Sequence, residues 1–216
     1  MRSEHEIHRE LESARAIERS ATEAFFVALG KPGGAAGERA ARDSARLAIG
    51  DLYRELAEAT GDEYVVPLSL GFDPEAAVSG AFLIQDEQQA FLTFNAVRAS
   101  GDGRSDNCGT AIVEFHCAFS TRFGLPNSES RRGDPLYERG LDRCSIGEVL
   151  NSSWAREAEA QNRVSFPDAA PWSVRHFIFS FHDSPVECLA ERMTHELSSA
   201  PHAATLSSIY AKLESR

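Results

Sequence analysis

From Ser3 to about Leu29, apolar side chains return every three or four residues, at Ile7, Leu11, Ala14, Ile17, Ala21, Phe25 and Leu29, with Glu and Arg between them. That spacing keeps one face of a helix apolar and predicts an amphipathic helix. The segment Gly30 to Gly37 interrupts it, because its glycines and Pro32 lower helix propensity and remove a backbone donor. A second stripe then runs from Glu38 to Thr60 through Ala41, Ala45, Ala48, Leu52, Leu56 and Ala59. Residues 1–60 are therefore expected to form a helical hairpin, whose apolar stripe would be buried equally well by the rest of the chain or by a second copy.

After Gly61 the period becomes two, in runs of Val, Ile, Phe and Thr punctuated by Gly, Pro and Asp. Strands are expected at Tyr64–Leu70, Ala81–Gln85, Ala90–Arg98, Thr110–Ser120, Ser145–Asn151 and Arg175–His182. Short links favour antiparallel pairing, while Thr121 to Leu141, with Pro126 and Pro135, reads as a long loop over the sheet. Near the C-terminus, Ser184, Pro185 and Glu187 have the order of a helix start with a capping box. Val186, Leu189, Ala190, Met193 and Leu197 would give a helix over Ser184–Leu197 its apolar face. Pro201 then opens a last helix carrying Leu206, Ile209, Tyr210 and Leu213. The expected class is α+β in a single domain, 1–216: the hairpin, then an antiparallel or mixed sheet of about five to seven strands. Two C-terminal helices would cover one sheet face.

Composition narrows the partners more than the fold. Against 22 Lys and Arg stand 33 Asp and Glu, and a net charge of -11 disfavours nucleic acid and anionic membrane surfaces. The N-terminal MRSEHEIHRE lacks the apolar run of a secretory signal, so a cytoplasmic location is expected. Cys108, Cys117, Cys144 and Cys188 form no CxxC pair, which leaves reduced, mostly buried thiols as the expectation.

Candidate chemistry gathers on two strands. Alternation in TAIVEFHCAFS places Glu114, His116 and Ser120 on one face and Val113, Phe115, Cys117 and Phe119 on the other. In RHFIFSFHD it sets His176, Ser180 and His182 opposite Phe177, Phe179 and Phe181. If the two strands are neighbours, Glu114, His116, His176 and His182 converge as ligands for a divalent metal, or as acid and base. The alternative is a solvated polar face. Cys188, in the first turn of the expected helix, would be a nucleophile activated by the helix dipole with His182 as base, weighed against a packed thiol. Glu187 is assigned to capping and Asp183 to a turn. Arg122, Arg131 and Arg132, in the long loop region, are candidates for binding an anionic substrate, though acidic neighbours nearly balance them.

Two resemblances fail. Ala99 to Asn107 has Arg104 where a calcium loop needs an oxygen ligand, and Gly30 to Gly37 lacks a phosphate-loop Lys-Ser or Lys-Thr. The leading expectation is a small-molecule-binding protein with a His/Glu acid–base or metal site on the polar sheet face. Its rival is a non-catalytic interaction or dimerisation module acting through the acidic helical hairpin on a basic protein or a second copy.

Overall fold

The computed structural model describes residues 2–29, 31, 34–76, 80–100, 102–125, 127 and 129–214. Helices α1 (Glu4–Leu29) and α2 (Ala36–Thr60) form the expected hairpin. Ile7 and Leu11 near the start of α1 pack on Leu52 and Leu56 near the end of α2, and Glu18 bonds Arg46. The two helices are therefore antiparallel. Part of the connector lies outside the described residues. Its end is seated on the sheet: Ala35 N–H donates to Asp102 O at 2.7 Å, and buried Arg39 donates to Gly103 O, Arg104 O and Ser105 Oγ. Gly34, at φ 75°, leaves no room for a Cβ, which would stand 2.3 Å from Asp102 O.

The other end of α2 rests on strand β1 (Tyr64–Pro67). Gly50 allows that contact, since a Cβ there would meet Pro67 Cδ at 2.6 Å. Tyr53 stacks on Tyr64 with ring centroids 5.5 Å apart. Much of the hairpin stripe is thus buried against the rest of the chain, although Ile17, placed on that stripe by its spacing, is 60% exposed.

The remaining strands are β2 (Asp73–Pro74), β3 (Phe82–Gln85), β4 (Gln89–Ala99), β5 (Ser105–Phe123), β6 (Ile146–Leu150), β7 (Arg175–Ser180) and β8 (Pro185–Ser198). They form one sheet, every pairing antiparallel, in the order β1-β6-β7-β8-β5-β4-β2, with β3 also on β4. All six expected strands are present, and β2 and β8 raise the count to eight, above the expected five to seven. The β4–β5 link is a polar hairpin turn in which Asp102 Oδ1 accepts from Ser100 Oγ and Arg104 N–H.

The main correction concerns Ser184–Leu197, which is not a helix: it is strand β8, filling the slot between β5 and β7. A helix cap is worth about 1 kcal/mol. Pairing as a strand instead buries Val186, Cys188 and Ala190 in the main core, and full burial of an apolar side chain such as Val186 is worth roughly 1.5–3 kcal/mol. Non-local pairing wins over the local helix signal. Of the two expected C-terminal helices only α4 (His202–Glu214) forms, preceded by Pro201 as its sequence predicts. A further helix, α3 (Ser153–Ser165), occupies a stretch to which the apolar pattern assigned no element.

The sheet is strongly curved. Phe94 on β4 and Phe179 on β7 lie three strand spacings apart, roughly 14 Å across a flat sheet. Their ring centroids are 6.0 Å apart, and Phe115 touches both Phe177 and Phe179 at 5.8 Å. The concave inner face is thus an aromatic core, completed by Leu92, Val113, Val186 and Cys188. On the outer face, α4 covers β4 through Thr93 and His202, while Leu136 and Leu141 of the long loop cover Val149 and Ile178. Among the described residues no helix is long and apolar enough to cross a membrane.

Candidate functional site

Alternation along β7 puts Phe177 and Phe179 inside and His176 outside, next to Ile178. His176 is nevertheless only 3% exposed, because the start of α3 lies over it. Strand β6 leads into that helix through Asn151, whose φ of 52° makes the turn. Asn151 Nδ2 fixes the turn by donating to Ala57 O at 2.8 Å and Asp62 O at 3.1 Å. Ser152 follows as the N-cap of α3, its Oγ accepting from Ala155 N–H at 3.1 Å.

Three side chains from α3's start, β7 and β8 are joined in one run of hydrogen bonds. Ser152 Oγ lies 2.9 Å from His176 Nδ1, and His176 Nε2 lies 2.9 Å from Glu187 Oε2. The protons follow from donor and acceptor counts. A carboxylate oxygen accepts, which puts a hydrogen on Nε2; in the tautomer with that hydrogen alone, Nδ1 accepts and Ser152 O–H donates to it. The ring is walled by Trp154, edge to face at 5.1 Å, and Arg122 lies over Trp154 at 3.9 Å. The Ser152 end opens on a cleft of about 270 Å³ lined also by Leu150, Arg156, Glu159, Trp172 and Arg175. Arg175 is held there by Glu148, its Nε donating to Oε1 at 2.8 Å.

The other expected site residues are dispersed. The strands bearing His116 and His176 are not adjacent, since β8 separates them. Glu114 and His116 do share the outer face. They stand opposite Thr194 and Arg192, whereas His176 stands opposite Leu189, three residues or roughly 10 Å away along β8. His182 lies in the β7–β8 turn, exposed and bonded to Asp183 at 2.8 Å. From Pro185 to Arg192, the partner of His116, is roughly 23 Å of strand, far beyond metal bonds of about 2 Å. Among the described residues no group of three or more His, Cys, Asp and Glu side chains is placed to hold a metal ion.

Cys188 has no helix start to activate it. It is fully buried among the inner phenylalanines, and burial pushes its thiol up to about 12. Cys117, expected inside, is exposed. Its φ of 51° interrupts the alternation, and Phe119 is an extra residue in the pairing with β8. Phe119 consequently leaves the core and stacks on Trp172 at 4.6 Å. Arg132 is exposed in a short 3-10 turn, the side chain of Arg131 lies outside the described residues, and Arg122 lies over the Trp154 ring.

Of the assembled trio, His176 carries a sequence expectation, as a metal ligand or an acid–base group among different partners, and Glu187 carries one chiefly as a cap, with a general acid as the lesser alternative. Ser152 carries none. Its signal is present in the chain: a serine between a strand ending at Leu150 and the helix-forming WAREAEAQ. No protein-family model matches this chain, and neither a curated protein nor a solved structure matches it.

Proposed function

We propose that the chain is a small-molecule-binding protein whose cleft beside β6, β7 and α3 is an acid–base site. His176 is the proton-transferring group, Glu187 holds and charges-balances its ring, and Ser152 connects the pair to the cleft. The observation that carries this reading is the unbroken hydrogen-bond run from Ser152 through His176 to Glu187. A carboxylate at one ring nitrogen fixes the tautomer and supports the imidazolium that forms when the other nitrogen takes a proton. The cleft carries Arg156 and Arg175 against Glu148 and Glu159, so its charge is balanced and favours a small polar molecule over a strong anion.

Titration of isotope-labelled protein with a panel of small esters, amides, carboxylates and alcohols, followed by amide NMR shifts, tests it. The expected result is a saturable response confined to residues 150–156 and 172–176 that His176→Ala abolishes without unfolding. No response across the panel, or one unaffected by that change, would count against the site.

A second reading, the interaction or dimerisation module, is supported by exposed apolar side chains on the hairpin: Phe26 is 64% exposed and Val27 and Leu47 are each 60% exposed. Sedimentation of the protein alone, compared with Phe26→Glu, tests self-association through it; a monomer at all concentrations would oppose a dimer.

A further inference from the structure

We infer that Ser152 is a covalent nucleophile and that the cleft takes a small carboxylic ester, transferring its acyl group to Ser152 and then to water. This rests on the acid–base reading of the same site and specifies its reaction.

A helix cap alone does not account for what surrounds Ser152. Capping α3 requires only that Oγ accept from Ala155 N–H. It requires neither a nearly buried histidine nor a carboxylate behind that histidine, and placing such a pair in a protein interior costs desolvation. A hydroxyl offers one hydrogen and two lone pairs. With the ring hydrogen on Nε2, the Ser152 hydrogen goes to His176 Nδ1, 2.9 Å away, and one lone pair is taken by Ala155 N–H, so one lone pair remains for a reacting carbon. The Asn151 turn presents this oxygen at a strand-to-helix junction that lines the cleft. The order of groups is that of a serine nucleophile, a histidine base and a carboxylate, with Nδ1 rather than Nε2 facing the serine.

The steps balance. Ser152 Oγ attacks the ester carbonyl carbon while its proton passes to His176 Nδ1, and Glu187 stabilises the imidazolium through Nε2–H. The tetrahedral adduct collapses, the bond to the leaving alkoxy oxygen breaks, and the Nδ1 proton goes to that oxygen, releasing an alcohol. A water molecule then attacks the acyl-serine, gives its proton to Nδ1, and the same collapse returns that proton to Ser152 and releases a carboxylic acid. Glu187 touches no reacting atom and is a positioning residue.

The test uses the whole chain treated with diisopropyl fluorophosphate, which a serine oxygen attacks with loss of fluoride. Intact mass and peptide mapping should show one adduct per chain, on Ser152, and none on that residue in urea-unfolded protein. His176→Ala should slow labelling by about a hundredfold or more. Glu187→Gln should move the pH profile of labelling, which a merely structural carboxylate would not. Should Ser152→Ala fail to fold, mapping of the unmodified sequence still decides, because the adduct's position is read directly. Folded protein left unlabelled at Ser152, or labelled there no faster than at other serines, overturns the nucleophile. If His176-dependent ligand shifts persist in that case, the acid–base reading survives; if they are absent too, both fall.

Discussion

Two histidines on the outer face have the same kinds of neighbour and different circumstances. His116 lies 2.9 Å from Thr194 Oγ1 and 3.5 Å from Glu114 Oε1; His176 lies 2.9 Å from Ser152 Oγ and 2.9 Å from Glu187 Oε2. Each is therefore a histidine with a hydroxyl and a carboxylate. At His116 all three residues come from the paired strands β5 and β8, and Lys212 of α4 takes the Glu114 carboxylate at 2.7 Å. At His176 the start of α3 closes over the ring, and its exposure falls to 3%. The difference teaches that residue types alone do not decide whether such a trio is enclosed. Burial, which strengthens each hydrogen bond, and a carboxylate committed to the ring are what separate the two.

The same contrast extends to the thiols beneath and beside these histidines, and there the largest effect is expected. Cys188 lies on the inner face, opposite Phe177, with its thiol pushed up to about 12 by burial, whereas Cys117 is exposed next to His116. Desolvation and a hydrogen bond to Glu191 also raise the Cys117 thiol, but solvent reaches it. Alkylation at pH about 8, followed by mass spectrometry, should label Cys117 about a hundredfold or more faster than Cys188. Equal rates would mean that β5 and β8 are placed in the wrong register.

Next in size is the cost of removing each ring. His176→Ala leaves a buried hydroxyl and a carboxylate without their partner, which should cost about 3 kcal/mol in urea unfolding. His116→Ala, at a half-buried ring, should cost less, about 1 kcal/mol. Ser152→Ala removes the α3 cap and should cost about 1 kcal/mol, more than Thr194→Ala on the exposed side of the comparison. Similar costs for the two histidines would dissolve the distinction between the regions.

Much of the sheet could be read from the chain, because period-two patterning is a direct consequence of strand geometry. The fold's central strand could not. In Ser184–Leu197 the local signals, Ser184, Pro185 and Glu187, all favour a helix, and only the pairing partners on β5 and β7 make a strand of it. That error hid the site, since a helix would spend Glu187 on its own N-terminus and a strand presents it to His176. Cys117 and Phe119 were misplaced for a different reason: a single residue at positive φ interrupts the alternation, and no glycine marks the spot. Ser152 was missed because its role depends on a histidine 24 positions away in sequence.

The smallest effect concerns a third histidine. His202, bonded to Thr93 Oγ1 at 2.8 Å under α4, is held below its ordinary value of 6.5 by partial burial. Between the lowered folded value and 6.5 the unfolded chain binds more protons, so this group's contribution to stability is present above 6.5 and lost as pH falls. His202→Gln should flatten that part of a plot of unfolding midpoint against pH; an unchanged profile would contradict the burial of that ring.

The central claim is that His176 links Ser152 to Glu187 with its hydrogen on Nε2. Long-range proton–nitrogen NMR spectra of the histidine rings test it most directly. His176 should show its hydrogen on Nε2, Nδ1 bare, and a slowly exchanging Nε2 proton that Glu187→Gln releases to solvent. A His176 ring protonated at Nδ1, or one exchanging as fast as that of His116, would contradict it.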